Sequence, residues 1–225
     1  MSIYIYVEGK SDVAGLVALL NAYRQQYGQA GIATRLVPLK GKDQLLRKVG
    51  SRAYADLRFK ADSHVIATPD LSPMAKFDPT RYAHDSYEAL VGLLRRLVRT
   101  HAQSEGCSSS EVAGLLDRFY AFPLCHDLEV LLLAAHEELR RHLRAPGSLA
   151  NAFRHPAEDQ DDQQPPKRVV AELFRRHLKR RYRPTIDAPA VLRNVSPGEL
   201  RTSGECPRFA EFLSVLERIT GMPLP

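Results

Sequence analysis

Four places in the chain put acidic side chains where they could act on a bound ion. Glu8 follows the apolar, β-branched and aromatic run Ser2 to Val7 and precedes Gly9. A carboxylate at the carboxyl end of a strand, beside a glycine that lets backbone approach closely, stands where α/β folds bind phosphate or metal. Asp12 lies one helical turn further on, so both carboxylates could face a single hard cation through oxygen ligands. Asp70 follows the apolar segment His64 to Thr68 and Pro69, which puts it on the same rim as Glu8 if the strands are parallel. The last place is His126-Asp127-Leu128-Glu129, just before an apolar helix, where His126 and Glu129 at i and i+3 would share one face. A third carboxylate on the rim is what a two-metal phosphodiester site requires. Plainer roles stay open for each: Glu8 capping a turn or pairing with Lys10, Asp12 meeting the helix dipole, Asp70 closing an Asx turn, and Asp127 acting as an N-cap with Glu129 as an early-helix acid.

The elements that must position these groups alternate strand and helix. Ser2 to Val7 reads as a buried first strand, and Ser11 as the N-cap of a helix whose stripe of Val13, Leu16, Val17, Leu19 and Leu20 runs until Gly28. Ala33 to Leu39 is a strand, Lys42 to Leu57 a helix weakened by Gly50, and His64 to Thr68 a third strand. Such alternation predicts an α/β fold with a mainly parallel central sheet, right-handed crossovers and flanking helices, its ligands gathered beyond the carboxyl ends of the strands. Helices are expected over Ala83 to Gln103, Ser108 to Arg118 and about Leu128 to Leu143, with Phe119 to Leu124 a strand that Pro123 confines to an edge or to its last residues. His155 to Pro166 is polar, acidic and bounded by prolines, and is expected to be an exposed loop that does not order itself. Beyond it come a basic amphipathic helix over Lys167 to Tyr182, a short helix over Ala188 to Val195, and a last one over Pro207 to Thr220 stopped by Gly221. The expected division is an α/β core over 1–145, an exposed polar loop over 146–166, and a helical C-terminal extension over 167–225.

Composition narrows the classes. No apolar run approaches the roughly 20 residues that span a bilayer, and no basic leader precedes the first strand, so a soluble cytoplasmic protein without membrane contact is expected. Cys107, Cys125 and Cys206 are far apart and form no C-x-x-C pair, which excludes a disulfide framework and a zinc knuckle. His101, His136, His142 and His177 show no ligand spacing with one another or with the cysteines, and Tyr82, Tyr120 and Tyr182, in apolar-flanked segments, are poor evidence for a covalent nucleophile. The formal charge is +6, from 32 basic and 26 acidic side chains, and Arg175, Arg176, Lys179, Arg180, Arg181 and Arg183 crowd into nine positions. A polyanion is the partner this run suits, although a solvated helix face is the plainer reading. No G-x-x-x-x-G-K-[S/T] loop is present, so any ATPase would be a separate subunit.

These residues resemble a known group. Val-Glu-Gly-Lys-Ser-Asp (Val7 to Asp12), with a buried strand before it and a helix after, looks like the glutamate motif of Toprim domains, found in topoisomerases, bacterial primases and OLD-type (overcoming lysogenization defect) nucleases. Thr68 to Ser72 falls where the second motif, normally Asp-x-Asp, belongs, with Ser72 in place of its second aspartate. The chain as a whole is similar to a Toprim-like bacterial family of unknown function, often encoded beside ABC or AAA ATPases, whose motifs correspond in order to Val7–Asp12, His126–Leu132, Pro165–Arg168 and Cys206–Phe212. The resemblance implies a Toprim-like (Rossmann-like) fold and a Mg²⁺- or Mn²⁺-dependent nuclease or phosphotransfer enzyme, the effector of an ATPase-coupled defence system. In it Glu8 is general acid/base or ligand, Asp70 holds the metal, and Asp12 and Glu129 are further ligands, with His126 nearby. Nucleic acid, DNA or RNA, is the expected partner, through Lys10, Lys167, Arg168, Arg175, Arg176, Lys179 and Arg180. The departures at Asp12, Ser72 and Asp127 weaken metal binding, and the alternative is a degenerate module that binds nucleic acid or an ATPase partner.

Overall fold

A computed structural model describes residues 1–71, 80, 82–161 and 163–223. The chain divides into two compact units, one made of 1–10 and 24–125, the other of 11–23 and 126–225. These units cut across the division expected at 145, because residues 11–23 of the N-terminal third belong with the C-terminal half.

The first unit is built on a parallel four-stranded sheet of order β2-β1-β3-β4, with β1 Ser2–Val7, β2 Ala33–Pro38, β3 Ser63–Thr68 and β4 Phe119–Ala121. The central strands β1 and β3 are buried along almost their whole length because a parallel sheet is covered on both faces. Tyr4, Tyr6, Val65 and Ala67 pack into one core with the helices α3 (Lys42–Arg58), α4 (Tyr87–Ser104) and α5 (Ser109–Asp117), while the alternating Ile3, Ile5, Val7 and Ile66 are buried as well. As expected, β4 is an edge strand, cut short before Pro123. Gly50 has a packing reason: a Cβ there would lie 2.6 Å from the backbone oxygen of Leu97, so its absence lets α3 and α4 approach. The α4 helix starts at Tyr87 rather than Ala83, because the Ser86 hydroxyl accepts the Ala89 N–H and caps it there. Arg118 donates to the carbonyls of Leu57, Lys60, Ala61 and Ser63 and so fastens the turn from α3 into β3.

The second unit is helical. The helix expected from Ser11 to Gly28 is two, α1 (Lys10–Leu19) and α2 (Asn21–Gln29), the latter belonging to the first unit from Arg24 on, and Ser11 lies inside the first turn of α1 rather than capping it. The helix expected over Leu128 to Leu143 breaks at Ala135 into α6 (Glu129–Ala134) and α7 (His136–Leu143). Every residue of α6 is buried, whereas α7 buries only Leu139 and Leu143. A segment apolar all round and an amphipathic one have different surroundings to satisfy, so one straight axis does not serve both. The expected basic helix appears as α8 (Pro166–Leu178), ended by Lys179 in the left-handed conformation with φ 54°. Beyond it lie α9 (Pro184–Leu192), α10 (Pro197–Thr202), which was not expected, and α11 (Pro207–Thr220), capped by Gly221 as expected.

The segment from His155 to Pro166 is not the exposed, unordered loop that its composition predicts. Ala157 is fully buried and Gln160 is buried as well. Two of its acids are taken up by backbone donors: Glu158 accepts the Arg208 N–H at 3.1 Å, and Asp161 accepts the N–H groups of Gln163 and Gln164. Charges held this way do not repel the segment from structure.

Candidate functional site

In the first unit, Val7 of β1 is in register with Pro38 of β2 and Thr68 of β3. The three chains therefore leave the sheet together, and the residues that follow meet on one edge. Glu8 is fixed there twice, its carbonyl accepting the Gly41 N–H at 2.7 Å and its Oε1 the Asp70 N–H at 3.0 Å. The loop bearing Asp70 is tied to the chain just beyond the edge strand, with the Leu124 N–H on the Pro69 carbonyl at 2.9 Å and the Leu71 N–H on the Leu124 carbonyl at 2.6 Å. From β2 the turn Lys40-Gly41, both at positive φ (65° and 96°), swings the chain into α3, whose first residue is Lys42. Lys42 is buried, 8 % exposed, and its Nζ donates to the Leu71 carbonyl at 2.7 Å. Burial holds the ammonium below the usual lysine range, while Glu8 first, then Asp70 and Asp43, act in the opposite sense. Among the described residues, this edge thus brings the Glu8 and Asp70 carboxylates near the buried Lys42, with Asp43 next to it in the first turn of α3.

In the second unit, Asp12 sits in the first turn of α1, and Gly15, one turn on, leaves room for Leu128: a Cβ there would fall 2.2 Å from Leu128 Cδ2. That approach seats the Asp12 face of α1 against the start of α6, and Asp12 acts electrostatically on Asp127. Asp127 does not cap α6, whose N-cap is Leu128 without a side-chain bond. Instead burial, with Glu129 beside it, pushes the Asp127 carboxyl up to about 8, against the pull of Lys167. Asp127 Oδ1 has no hydrogen-bond partner among the described residues, and Glu129 is only 3 % exposed. Burial, then Glu129, raises the Tyr182 hydroxyl too. His126 is half-buried and precedes the helix, so it does not share a helical face with Glu129.

The basic helix opens onto a cavity of about 620 Å³ lined by Arg168, Arg175, Lys179, Arg180, Arg181 and Tyr182, together with Ala171 and Glu172. Arg180 is held in place by Asp187, with Nη1 on Oδ2 at 2.8 Å and Nη2 on Oδ1 at 2.9 Å, and its guanidinium lies 5.1 Å from the Phe174 ring centre. Burial opposes the charge on Asp187, but the bonds from Arg180 and from the Arg183 N–H prevail and hold the carboxyl below the usual range. Of the expected nucleic-acid contacts, Arg168, Arg175, Lys179 and Arg180 face this cavity. Arg176 lines a smaller cavity of about 250 Å³, Lys167 acts on Asp127, and Lys10 is an exposed residue of the first unit.

The profile of a family described as "Domain of unknown function (DUF4276)" matches residues 7–217. The chain belongs to this family. No curated protein matches the chain. Among solved structures, the C-terminal region of the OLD protein of Burkholderia pseudomallei is similar at 14 % identity over 97 % of each chain, with a TM-score of 0.47. The corresponding region of the OLD protein of Xanthomonas campestris pv. campestris gives 14 % identity over 96 % of this chain and 97 % of that one, with a TM-score of 0.42. Likenesses this distant assign no chemistry to individual residues.

For this DUF4276 member, the expected carboxylates thus fall into two sets: Glu8 and Asp70 in the first unit, Asp12 and Glu129 in the second. Among the described residues, no three His, Cys, Asp or Glu side chains stand together so as to hold a metal ion. Ser72 lies outside the described residues. Lys42 was missed by sequence reasoning, which read it only as a helix start. The available signal was its place just after the second parallel strand, as Glu8 and Asp70 follow the first and third. The N-cap reading of Asp127 does not show the approach of α1 to Leu128 next to it, which Gly15, far away in sequence, permits.

Proposed function

We propose that the chain is a divalent-metal-dependent nuclease of the OLD-like Toprim kind, acting in the cytoplasm as the effector of an ATPase-coupled defence system. The observation that carries this reading is the Asp70 N–H on the Glu8 carboxylate at 3.0 Å, which joins the ends of two adjacent parallel strands. The Val7 to Asp12 segment supports it by its resemblance to the Toprim glutamate motif. Two carboxylates suit Mg²⁺ or Mn²⁺, because Mg²⁺ is commonly held by one or two carboxylates, with waters and substrate phosphates completing the shell. Glu8 and Asp70 would hold the ion, which when bound polarises a phosphate and lowers the pKa of a water. Asp70 would hold the ion, and Glu8, oriented by the Asp70 N–H, would take the proton of the water that attacks phosphorus as the P–O bond to the leaving oxygen breaks and that oxygen takes up a proton from solvent. Lys179, Arg175 and Arg168 meet backbone phosphates, giving affinity without sequence preference.

The alternative, a module without catalysis that binds nucleic acid or an ATPase partner, is favoured by one observation: among the described residues no three potential ligands stand together. The two readings separate in one assay. Mn²⁺- or Mg²⁺-dependent cleavage of labelled single-stranded, duplex and tRNA substrates is expected from the purified protein, falling by at least a hundredfold in Glu8→Gln and in Asp70→Asn. Salt-sensitive binding without cleavage, the same in all three proteins, would establish the binding module instead.

A further inference from the structure

Lys42 stands where the fold gives it least reason to be. It is the first residue of a 17-residue helix, at the positive end of the helix dipole, and it is 8 % exposed. A cation is disfavoured at that end and again by burial, so a neutral residue would serve the helix better on both counts. What matches the charge is the site itself. Nζ donates to the Leu71 carbonyl at 2.7 Å, the residue after Asp70, whose own N–H is held on Glu8. The turn that delivers Lys42 is anchored to the same glutamate through the Gly41 N–H. A two-metal phosphodiester site needs carboxylates enough for two dications, and among the described residues this edge offers Glu8 and Asp70, with Asp43 acting on Lys42 from the next position and serine by sequence at position 72.

We propose that Lys42 is a positioning residue whose fixed positive charge takes the place of a second metal ion at the Glu8–Asp70 edge, so that the edge accepts one divalent cation. The inference rests on the metal-dependent reading above. The ammonium balances part of the carboxylate charge, and it repels a second dication from the same edge.

The test is a Mn²⁺ titration followed by electron paramagnetic resonance, on the wild type, Asp70→Asn, Lys42→Gln and Lys42→Met, with cleavage measured in parallel. Glutamine keeps a donor for the Leu71 carbonyl without the charge, and melting curves establish that each variant is folded. The expected result is one Mn²⁺ per wild-type chain, none in Asp70→Asn, and binding about tenfold tighter or more in both Lys42 variants, with cleavage reduced. A lysine that only props up Leu71 would leave Mn²⁺ affinity unchanged or lower when removed, and that result overturns the proposal while the nuclease reading stands. Two Mn²⁺ held through Glu8 and Asp70 in the wild type also overturn it, as does failure of both Lys42 variants to fold. Binding in Lys42→Gln but not in the wild type keeps the charge role and rejects the metal-dependent reading, whereas binding in neither rejects both.

Discussion

One substitution made at two glycines should change stability in opposite directions. Gly50 lies in α3 and Gly92 in α4, both in helix interiors, where alanine is intrinsically better by about 1 kcal/mol. A Cβ at Gly92 meets nothing within 4 Å, so Gly92→Ala should stabilise by about 0.4–1 kcal/mol. A Cβ at Gly50 would lie 2.6 Å from the Leu97 oxygen, 3.2 Å from its carbonyl carbon and 3.3 Å from His101 Cβ. The obstacle is mostly the backbone of a helix packed along α3, which cannot rotate away as a side chain can. Overpacking should therefore cost about 2–3 kcal/mol, the upper part of its usual range, and the helix-propensity gain leaves a net loss of about 1–2 kcal/mol. At about 2–4 °C per kcal/mol for a chain of this size, Gly50→Ala should melt about 2–8 °C lower and Gly92→Ala about 1–4 °C higher. Thermal melts followed by circular dichroism at 222 nm measure both. Equal rises in the two variants would show that α3 and α4 are not packed as closely as described.

Three further outcomes follow from the second unit. The Asp127 carboxyl binds its proton more tightly folded than unfolded, so its contribution is complete below about pH 4 and is lost as pH rises through about 8. The melting temperature should fall from pH 5 to pH 9 in the wild type and fall less in Asp127→Asn; identical slopes would reject the buried acid. Asp187→Ala removes the carboxylate that holds Arg180 and the Arg183 N–H, and should cost about 2 kcal/mol in urea unfolding, discounted because Arg180 can turn to water. An unchanged midpoint would rule that out. Arg175→Ala with Lys179→Ala should reduce the salt slope of single-strand binding by about 1.4, near 0.7 for each lost phosphate contact, and an unaltered slope would place the strand elsewhere.

The parallel sheet was legible because its signs are local: β1 and β3 are short apolar runs with a carboxylate at or just after the end, and β4 announces its edge position through Pro123. Helix ends were legible where a cap is encoded, as at Ser108 and Gly221. What escaped depends on contacts between distant residues. The break at Ala135 follows from the different burial of α6 and α7, and periodicity alone cannot show it. The segment around Ala157 is fastened by two acids that accept distant backbone N–H groups, Glu205 that of Ala157, 48 residues away, and Glu158 that of Arg208, 50 residues away. At the site, Glu8 and Asp70 were found because carboxylates at strand ends invite attention. Lys42 was not, because a lysine after a glycine looks like any solvent-facing helix start until its burial is known.

The partition of the chain bears on how the gene can be cut. Neither compact unit is one continuous stretch: residues 11–23 belong with 126–225, and the polypeptide passes from one unit to the other three times. A fragment ending at Cys125 would carry α1 without α6 and α9, leaving Gly15 facing neither Leu128 nor Leu192. A fragment starting at His126 would lack the helix that fills that place. Neither half is therefore a sound expression fragment, and swapping the sheet between family members would have to carry residues 11–23 of the recipient. An insertion or deletion near Lys10 would change both units at once, so the glutamate motif is constrained on its two sides by two different cores.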